Sequence, residues 1–176
     1  MTNKEQIERW FVQYSDDVYK FLVYYTGNFD VEDLVQDVFI KVIKGKTNYD
    51  GLCNPRAWLL TIARNTAIDY ERKKRLIKWL PQSILELLPT KERTPCERLE
   101  FNEEMHKLYK AISNLKRNYR EVLVLRGIEG LSVSETAQIL DWSESKVKVT
   151  LHRALKALEQ KMLPIEKGGS VNEAIQ

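Results

Sequence analysis

The segment from Leu131 to Leu158, "LSVSETAQILDWSESKVKVTLHRALKAL", limits the possible folds of this chain more than any other segment. Its second half begins like a β-strand, because polar and apolar residues alternate from Lys146 to Leu151 and several are β-branched. The alternation then ends, whereas a helical period covers all sixteen residues from Ser143 onward. We therefore predict a helix, with an apolar stripe made of Val147, Leu151, Ala154, Leu155 and Leu158.

Capping signals predict a second, shorter helix directly before this one. Ser132 and Glu135 have the spacing of a capping box, and the hydroxyl of Ser143 can cap the longer helix. Ala137 supplies the small residue that two crossing helices need. Asp141 stands at the turn and tolerates a left-handed backbone better than most residues. The arrangement predicts a helix-turn-helix.

Helical periodicity also dominates the rest of the chain. We predict a first helix that ends at Gly27 and a second helix capped by Asp30. Asn54 as cap and Pro55 at the first helical position predict the start of a third helix. Phe11 and Ile43 are expected on the apolar faces of the first two helices. The predicted helices span about residues 4–26, 31–44, 54–76, 97–114, 116–129, 132–141 and 143–158, so the predicted fold class is all-α.

Residues from about 76 to 100 interrupt this pattern. Three of the five prolines in the chain lie there, at Pro81, Pro89 and Pro95, which is typical of a linker. The same stretch contains tryptophan, leucine and isoleucine residues, so we expect the linker to dock on a surface. The last residues, "EKGGSVNEAIQ", are predicted to form a flexible tail.

The formal net charge of the chain is +3, but the charged residues are distributed unevenly along it. Residues 1–55 contain 6 basic and 9 acidic residues. Residues 56–78 contain 7 basic and 2 acidic residues, and residues 142–161 contain 5 basic and 2 acidic residues. Two separate cationic segments indicate a polyanion that is contacted at two places.

Cysteine and histidine usage does not support a metal site, a cofactor site or a catalytic triad. Cys53 and Cys96 lack the paired spacing of zinc or redox motifs, and His106 and His152 form no cluster with cysteine or acid. We therefore expect no metal, no cofactor and no enzymatic activity of the chain alone. Because the sequence shows no signal peptide and no apolar run of about eighteen residues, we expect a cytoplasmic location.

The helix that begins after Ser143 has a broad cationic face. If its N-terminal part enters a major groove, Ser145, Lys148, Val149 and His152 would reach base edges. Lys146, Arg153 and Lys156 would lie nearer to phosphates. The alternative is a surface helix whose lysines only contact water.

The third helix has a second face of this kind. Within a sector of about 100°, the helical period places Thr61, Arg64, Asn65, Ile68, Arg72 and Arg75. An isoleucine among arginines and an asparagine suits a surface that contacts bases and also holds phosphates. The alternative is a basic helix on an anionic membrane, but the helix lacks a broad apolar face for insertion.

Four segments together resemble a known family. They are "EDLVQDVFIKVIK", "WLLTIARNTAIDYERKK", "YREVLVLRGIEGLSVSETAQIL" and "SESKVKVTLHRALKAL". In this order they are similar to the extracytoplasmic-function sigma factors of the sigma-70 family, the minimal two-domain type. The resemblance extends from about residue 7 to residue 163, and the motifs resemble those of the envelope-stress sigma factors of Gram-positive bacteria.

The resemblance implies two small helical domains joined by a proline-containing linker. A sigma-2 helical bundle would occupy residues 1–78, a linker 79–102, a sigma-4 helix-turn-helix domain 103–165 and a tail 166–176. The implied function is to bind core RNA polymerase, direct it to promoters and begin strand opening without ATP. The implied partners are the β′ clamp helices and β flap of the polymerase, promoter DNA, and an inhibiting anti-sigma factor, expected to be anchored in the membrane.

The resemblance also assigns residues to these partners. Core polymerase would contact Glu32, Asp33, Gln36, Asp37 and Ile40. The −10 element would contact Arg64, Asn65, Ile68, Asp69, Arg72 and Arg75, and the loop 49–54 would receive a flipped base. The −35 element would contact Ser145, Lys146, Lys148, Val149, His152, Arg153 and Lys156.

Two other classes of protein remain as alternatives. A dimeric helix-turn-helix repressor or activator would need a ligand-binding or dimerisation domain, whereas residues 1–78 contain a second basic helix. A helical nuclease or nucleotide-processing enzyme would need carboxylates or histidines clustered around a metal, and the sequence does not pair them convincingly.

Overall fold

The computed structural model describes residues 3–45, 49, 51, 54–78 and 103–163. Every regular element in these ranges is helical, which confirms the all-α prediction. The predicted linker and tail, and the predicted start of a helix near residue 97, lie outside the described residues. The helices are α1 (Asn3–Thr26), α2 (Glu32–Ile43), α3 (Pro55–Lys78), α4 (Glu103–Ser113), α5 (Arg117–Leu123), α6 (Val133–Leu140) and α7 (Glu144–Met162).

Helices α1, α2 and α3 pack against one another and form the first unit. Phe21 and Leu22 of α1 and Leu59 of α3 are fully buried in its core. Full burial of an apolar side chain of this size contributes about 1.5–3 kcal/mol to folding, so this packing is the main source of the unit's stability. None of the described helices is long and apolar enough to cross a membrane.

Helices α4 to α7 form the second unit, which contains the predicted helix-turn-helix. The amide of Glu135 donates to the Ser132 hydroxyl, and the Glu135 carboxylate accepts from the Ser132 amide, so the capping box is confirmed. Asp141 adopts the left-handed conformation with φ 54° and ψ 49°. The Ser143 hydroxyl accepts from the Lys146 amide at 3.2 Å and caps α7.

One predicted helix cap and the regularity of one predicted helix differ from the structure. Asp30 does not cap α2, because Val31 occupies that position and its side chain is buried, while Asp30 is exposed. The predicted helix over residues 116–129 changes pitch into a π-helical segment, Val124–Ile128, where the Glu129 amide donates to the Val124 carbonyl at 2.9 Å. The third-helix cap is confirmed, since the Asn54 side-chain oxygen accepts from the Arg56 amide at 3.0 Å.

Some residues expected on apolar stripes are exposed. Phe11 is 48% exposed, Ile43 63% and Leu155 51%. Ile43 and Leu155 lie at the edges of their stripes, whereas Phe11 lies near the N-terminal end of α1 and packs only in part, with its ring centroid 4.8 Å from that of Phe39. Periodicity therefore predicted the buried face correctly but made it too wide.

The two units pack directly against each other. Phe29 stacks on Tyr109 with ring centroids 4.6 Å apart, and Leu125, Leu131 and Ile139 join the same core as α1 and α3. At the end of α1, Gly27 has φ +71°, and a Cβ added there would lie 2.9 Å from the Ser113 Cβ. Glycine is therefore needed at this point both for the turn and for the close approach of α4.

Candidate nucleic-acid and polymerase interface

The predicted −35 surface lies on α7 and is open to solvent. Val147 and Ala154 are fully buried on the inner side of the helix, which fixes its orientation. On the outer side Val149 is half exposed, between cationic neighbours. All seven predicted −35 residues are exposed: Ser145, Lys146, Lys148, Val149, His152, Arg153 and Lys156.

The turn before α7 positions one of these cations. The ammonium of Lys146 lies 4.2 Å from the centroid of the Trp142 ring, a cation–π distance. Trp142 is itself half-buried against both cores. Lys146 is therefore held at the helix-turn-helix corner, while Lys148 and His152 extend from the outer face of α7.

The predicted −10 surface on α3 is only partly open. Asn65, Asp69, Arg72 and Arg75 are exposed and Ile68 is half-buried. Asp69 lies 3.9 Å from the Lys41 ammonium, at the edge between α2 and α3. The four exposed positions form an accessible polar surface along the outer side of α3.

Arg64 departs from the prediction. Its side chain is 17% exposed and does not project freely, because its Nε lies 3.0 Å from the Glu121 Oε1. A second guanidinium nitrogen of Arg64 donates to the other Glu121 oxygen at 3.4 Å. The reason for the departure is the second unit, which covers this part of α3.

The Glu121 carboxylate receives two further donors. The Tyr25 hydroxyl donates to it at 3.2 Å and the Arg117 Nε at 3.1 Å. Burial, together with the charge of Glu121, raises the pKa of the Tyr25 phenol. The sequence analysis did not identify Glu121 as a functional residue. The available signal was a carboxylate directly before the apolar run "VLVL".

A second ionic cluster joins the units around Arg56. Its guanidinium contacts Asp17 of α1 at 2.6 Å and the Glu129 carboxylate at 2.7 Å, and it donates to the Glu129 carbonyl at 2.9 Å. The Glu129 side chain is completely buried, and its second oxygen has no hydrogen-bond partner among the described residues. Burial raises the pKa of Glu129 to about 7, opposed by Arg56 and reinforced by Asp17.

A third contact involves Arg120 of α5. One of its nitrogens lies 3.0 Å from the Glu71 carboxylate of α3, and its guanidinium lies 4.7 Å from the centroid of the Tyr25 ring. Arg120 is buried. Sequence reasoning did not identify these contacts, because residues distant in sequence form them.

The predicted polymerase surface is a polar ridge on α2. Glu32, Asp33, Gln36 and Asp37 are exposed in two adjacent helical rows, and Ile40 is 41% exposed at the end of the ridge. The opposite side of α2 buries Leu34, Val38, Phe39 and Val42. An exposed apolar residue beside acidic ones is suited to a protein partner.

Part of the predicted flipped-base loop is described. Tyr49 is half-buried, and its ring centroid lies 5.0 Å from that of Trp10 and 5.2 Å from that of Trp58. These rings form an aromatic cluster beside the start of α3. Among the residues that the structure describes, no group of three or more histidine, cysteine or acidic side chains could hold a metal ion.

Comparisons with known proteins agree with this geometry. The sigma-70 region 2 family matches residues 10–77, and the sigma-70 region 4 family matches residues 105–158. The extracytoplasmic-function RNA polymerase sigma factor SigX of Bacillus subtilis is 34% identical over 168 residues, covering 90% of this chain and 84% of SigX. RNA polymerase sigma factor YlaC of the same species is 34% identical over 164 residues, covering 92% and 95% of the two chains.

Solved structures show the same fold. The sigma factor RpoE from Bartonella quintana, in complex with the anti-sigma factor NepR, matches with a TM-score of 0.71 and 22% identity, over 89% of this chain and 96% of that chain. CnrH, in complex with the cytosolic domain of CnrY, matches with a TM-score of 0.62 and 23% identity, over 89% and 87%.

An exposed cationic helix-turn-helix beside a second helical unit with a basic helix defines a DNA-binding class of protein. This chain belongs to the extracytoplasmic-function sigma factors of RNA polymerase. It binds core RNA polymerase and directs it to promoter DNA.

Proposed function

We propose that the three exposed surfaces divide promoter recognition into three tasks. The face of α7 reads the −35 element, the outer side of α3 contacts the −10 element, and the polar ridge of α2 binds the polymerase clamp. The observation that carries this assignment is the presence of two exposed cationic helix faces on different units. One DNA molecule can then be contacted at two separate places.

For the −35 element, the proposal follows from the direction of α7. Its capped N-terminal end carries the exposed polar side chains, and Val149 offers an apolar contact for a thymine methyl group. Lys148 and His152 supply donors for base edges. Arg153 and Lys156 lie further along the helix and neutralise phosphates.

For the −10 element, α3 combines an amide with cations. Asn65 donates to or accepts from a base edge, while Arg72 and Arg75 hold the backbone. Capture of an unstacked base would offset an unpairing cost of a few kcal/mol, so opening would need no ATP. The polypeptide alone would therefore not be an enzyme.

The remaining partners are proposed from the relatives. Structures of the neighbours RpoE and CnrH contain an anti-sigma factor and the cytosolic domain of CnrY, respectively. We infer that this chain is likewise held inactive by an anti-sigma factor, anchored in the membrane, and that it acts in the cytoplasm. The domain bounds 1–78 and 103–165, with linker 79–102 and tail 166–176, remain part of this proposal.

Site-specific photocrosslinking tests the division of tasks. A photoreactive amino acid is placed at Val149, at Arg72 or, as a control on a helix that carries none of the three surfaces, at the exposed Val12 of α1, in holoenzyme bound to promoter DNA. We expect crosslinks from the first two positions to two separate DNA blocks upstream of the start site, and few from the third. Crosslinks from both positions to one block would contradict the assignment.

A further inference from the structure

One cation of the −35 surface has an aromatic partner that DNA contact alone does not explain. We propose that Trp142 is a positioning residue for −35 recognition: its ring holds the Lys146 ammonium in one place, so that the lysine contacts one particular phosphate of the DNA. This contact would fix the register of α7 along the element. The inference rests on the proposed −35 role of α7.

The fold fixes Trp142 before any DNA is present. Its amide donates to the Ala137 carbonyl at 2.9 Å, across the left-handed residue Asp141. Its side chain is half-buried and packs against both hydrophobic cores of the chain. A ring that is held by its backbone and by close packing has little freedom to turn, so it offers a fixed surface to its neighbours.

The backbone and the side chain of Lys146 are both held. Its amide donates to the Ser143 hydroxyl at 3.2 Å, and its ammonium lies 4.2 Å from the centroid of the Trp142 ring. Tryptophan is the aromatic side chain that attracts a cation most strongly. Because lysine has a flexible stem and loses much rotamer freedom when it is immobilised, a contact that restricts it beforehand lowers the entropic cost of binding a phosphate.

The cation–π contact leaves the charge of Lys146 available for DNA. An indole ring carries no net charge, so it does not neutralise the ammonium. The lysine is exposed, and only part of an ammonium group can face the ring while its other N–H donors remain free for a phosphate oxygen. Lys146 can therefore keep its contact with Trp142 and bind DNA at the same time.

Helix stability does not explain a lysine at this position. Lys146 lies in the first turn of α7, where the helix dipole is positive and a further cation is unfavourable. The acidic Glu144 in the same turn is the kind of residue that the dipole favours. A cation that the helix disfavours and an aromatic ring holds at the surface is suited to an anionic partner, and DNA supplies phosphate there.

An anchored phosphate contact also affects the residues that read bases. Phosphate contacts set the register and orientation of a protein on the duplex, although they carry no sequence information themselves. Because α7 is one continuous helix, fixing its first turn restricts the base edges that Lys148 and His152 can reach. Trp142 would therefore influence base preference without contacting a base.

The pair is tested first in the free protein by nuclear magnetic resonance. The ring current of the indole should move the ε-methylene protons of Lys146 upfield of those of Lys148, which is also exposed on α7. Trp142→Leu should remove this shift, and Trp142→Phe should reduce it. If circular dichroism shows that Trp142→Leu has not folded, Trp142→Phe decides the result. Equal shifts for the two lysines in the unsubstituted chain would overturn the inference.

Positioning is tested in the holoenzyme with modified DNA. The probe is a duplex fragment that the holoenzyme selects from a random-sequence library, and each modified copy carries one neutral methylphosphonate in place of one phosphate of its upstream block. We expect one position at which the unsubstituted chain loses affinity and Lys146→Ala does not. Trp142→Leu should weaken binding of the unmodified probe about two- to fivefold, the range of an exposed cation–π contact, and should spread the phosphate dependence over neighbouring positions.

Lys156 provides the matched control on the same helix. It is an exposed cation further along α7, so the losses of affinity caused by Lys156→Ala and Trp142→Leu should multiply in the double variant. The losses caused by Lys146→Ala and Trp142→Leu should not multiply, because both substitutions remove the same contact. A phosphate pattern that Trp142→Leu leaves unchanged would show that Trp142 acts only in folding, which contradicts the inference.

The same measurements distinguish this inference from the proposed function. If the holoenzyme selects no shared upstream block, or if Lys148→Ala does not alter the selected block, the −35 role of α7 is wrong. If Lys148→Ala alters the block but the losses from Lys146→Ala and Trp142→Leu multiply, only the positioning role of Trp142 is wrong.

Discussion

The Arg64 Nε and the Glu121 Oε1 lie 3.0 Å apart, although 57 positions separate the two residues in the chain. The pair joins α3 of the first unit to α5 of the second. The same side chain lies on the surface proposed to contact the −10 element. We therefore expect DNA binding at α3 and the contact between the units to be coupled.

The exposed face of α7 should read bases and not act only as a cationic patch. Lys148→Ala and His152→Ala should change the preferred base at particular −35 positions by roughly 1–3 kcal/mol, because each removes a hydrogen bond to a base edge. Lys156→Ala should weaken binding evenly across sequences and reduce the salt dependence. Binding to a library of promoter variants at two salt concentrations measures both effects. The same sequence-independent loss in all three variants would contradict base readout.

The polar ridge of α2 should bind polymerase and not DNA. Replacing Gln36 and Asp37 by lysine should abolish co-purification with core polymerase, because both residues are exposed on the ridge. Surface substitutions usually change stability by less than about 0.5 kcal/mol, so the helical spectrum and Tm should stay nearly unchanged. The matched control is Gln13→Lys, at an exposed position of α1. Retained core binding would place the contact elsewhere.

Glu129 should make the contact between the units pH-dependent. Its pKa is raised from 4.5 to about 7 when it is buried between the units, so the folded chain with packed units binds an extra proton. This contribution stabilises the packing of the two units fully below pH 4.5 and is lost as the pH rises through about 7. It amounts to at most about 3 kcal/mol, and the charges that face Glu129 are those of Arg56, Asp17 and Lys20.

The measurement is Tm between about pH 5.5 and 8.5, a window that brackets this pKa. Tm of the unsubstituted chain should fall across it, and Glu129→Gln, which resembles the protonated carboxyl, should remove most of that fall. Glu8→Gln, at an exposed position of α1, is the control and should leave the fall intact. Parallel curves for the unsubstituted chain and Glu129→Gln would show that Glu129 does not titrate in this range.

Asn65 should act in strand opening. It is exposed on α3, and a neutral amide adds nothing to long-range attraction for phosphate. Asn65→Ala should leave duplex binding through α7 nearly intact while lowering the fraction of opened promoter. Permanganate reactivity of unpaired thymines measures opening, and a template already mismatched across the −10 region should restore much of the activity. An equal loss of activity on both templates would show that Asn65 does not act in the melting step.

Local signals in the sequence predicted the helix starts and the turn. The caps at Ser132, Ser143 and Asn54 are confirmed because each depends on a hydroxyl or amide and a backbone group only two or three positions away. The left-handed Asp141 follows from the same local chemistry. Exposure of the predicted −35 and polymerase residues also agreed with the helical period.

Tertiary contacts decided what the sequence could not predict. Arg64 is half-buried because of a carboxylate far away in the chain, and periodicity contains no information about that partner. The buried state of Glu129 depends on the π-helical segment and on Arg56 of the other unit. Leu155 is exposed because none of the described helices covers the edge of its stripe.

Transcription reconstituted from purified core RNA polymerase tests the central claim most directly. Core polymerase is incubated with a library of fragments from the source genome, with and without this protein, and run-off transcripts are sequenced. We predict a small set of start sites that depend on the protein and share two upstream sequence blocks, one matching the α7 contact and one the α3 contact. Transcripts that are unchanged by the protein, or start sites without shared blocks, would contradict its function as a promoter-specificity subunit.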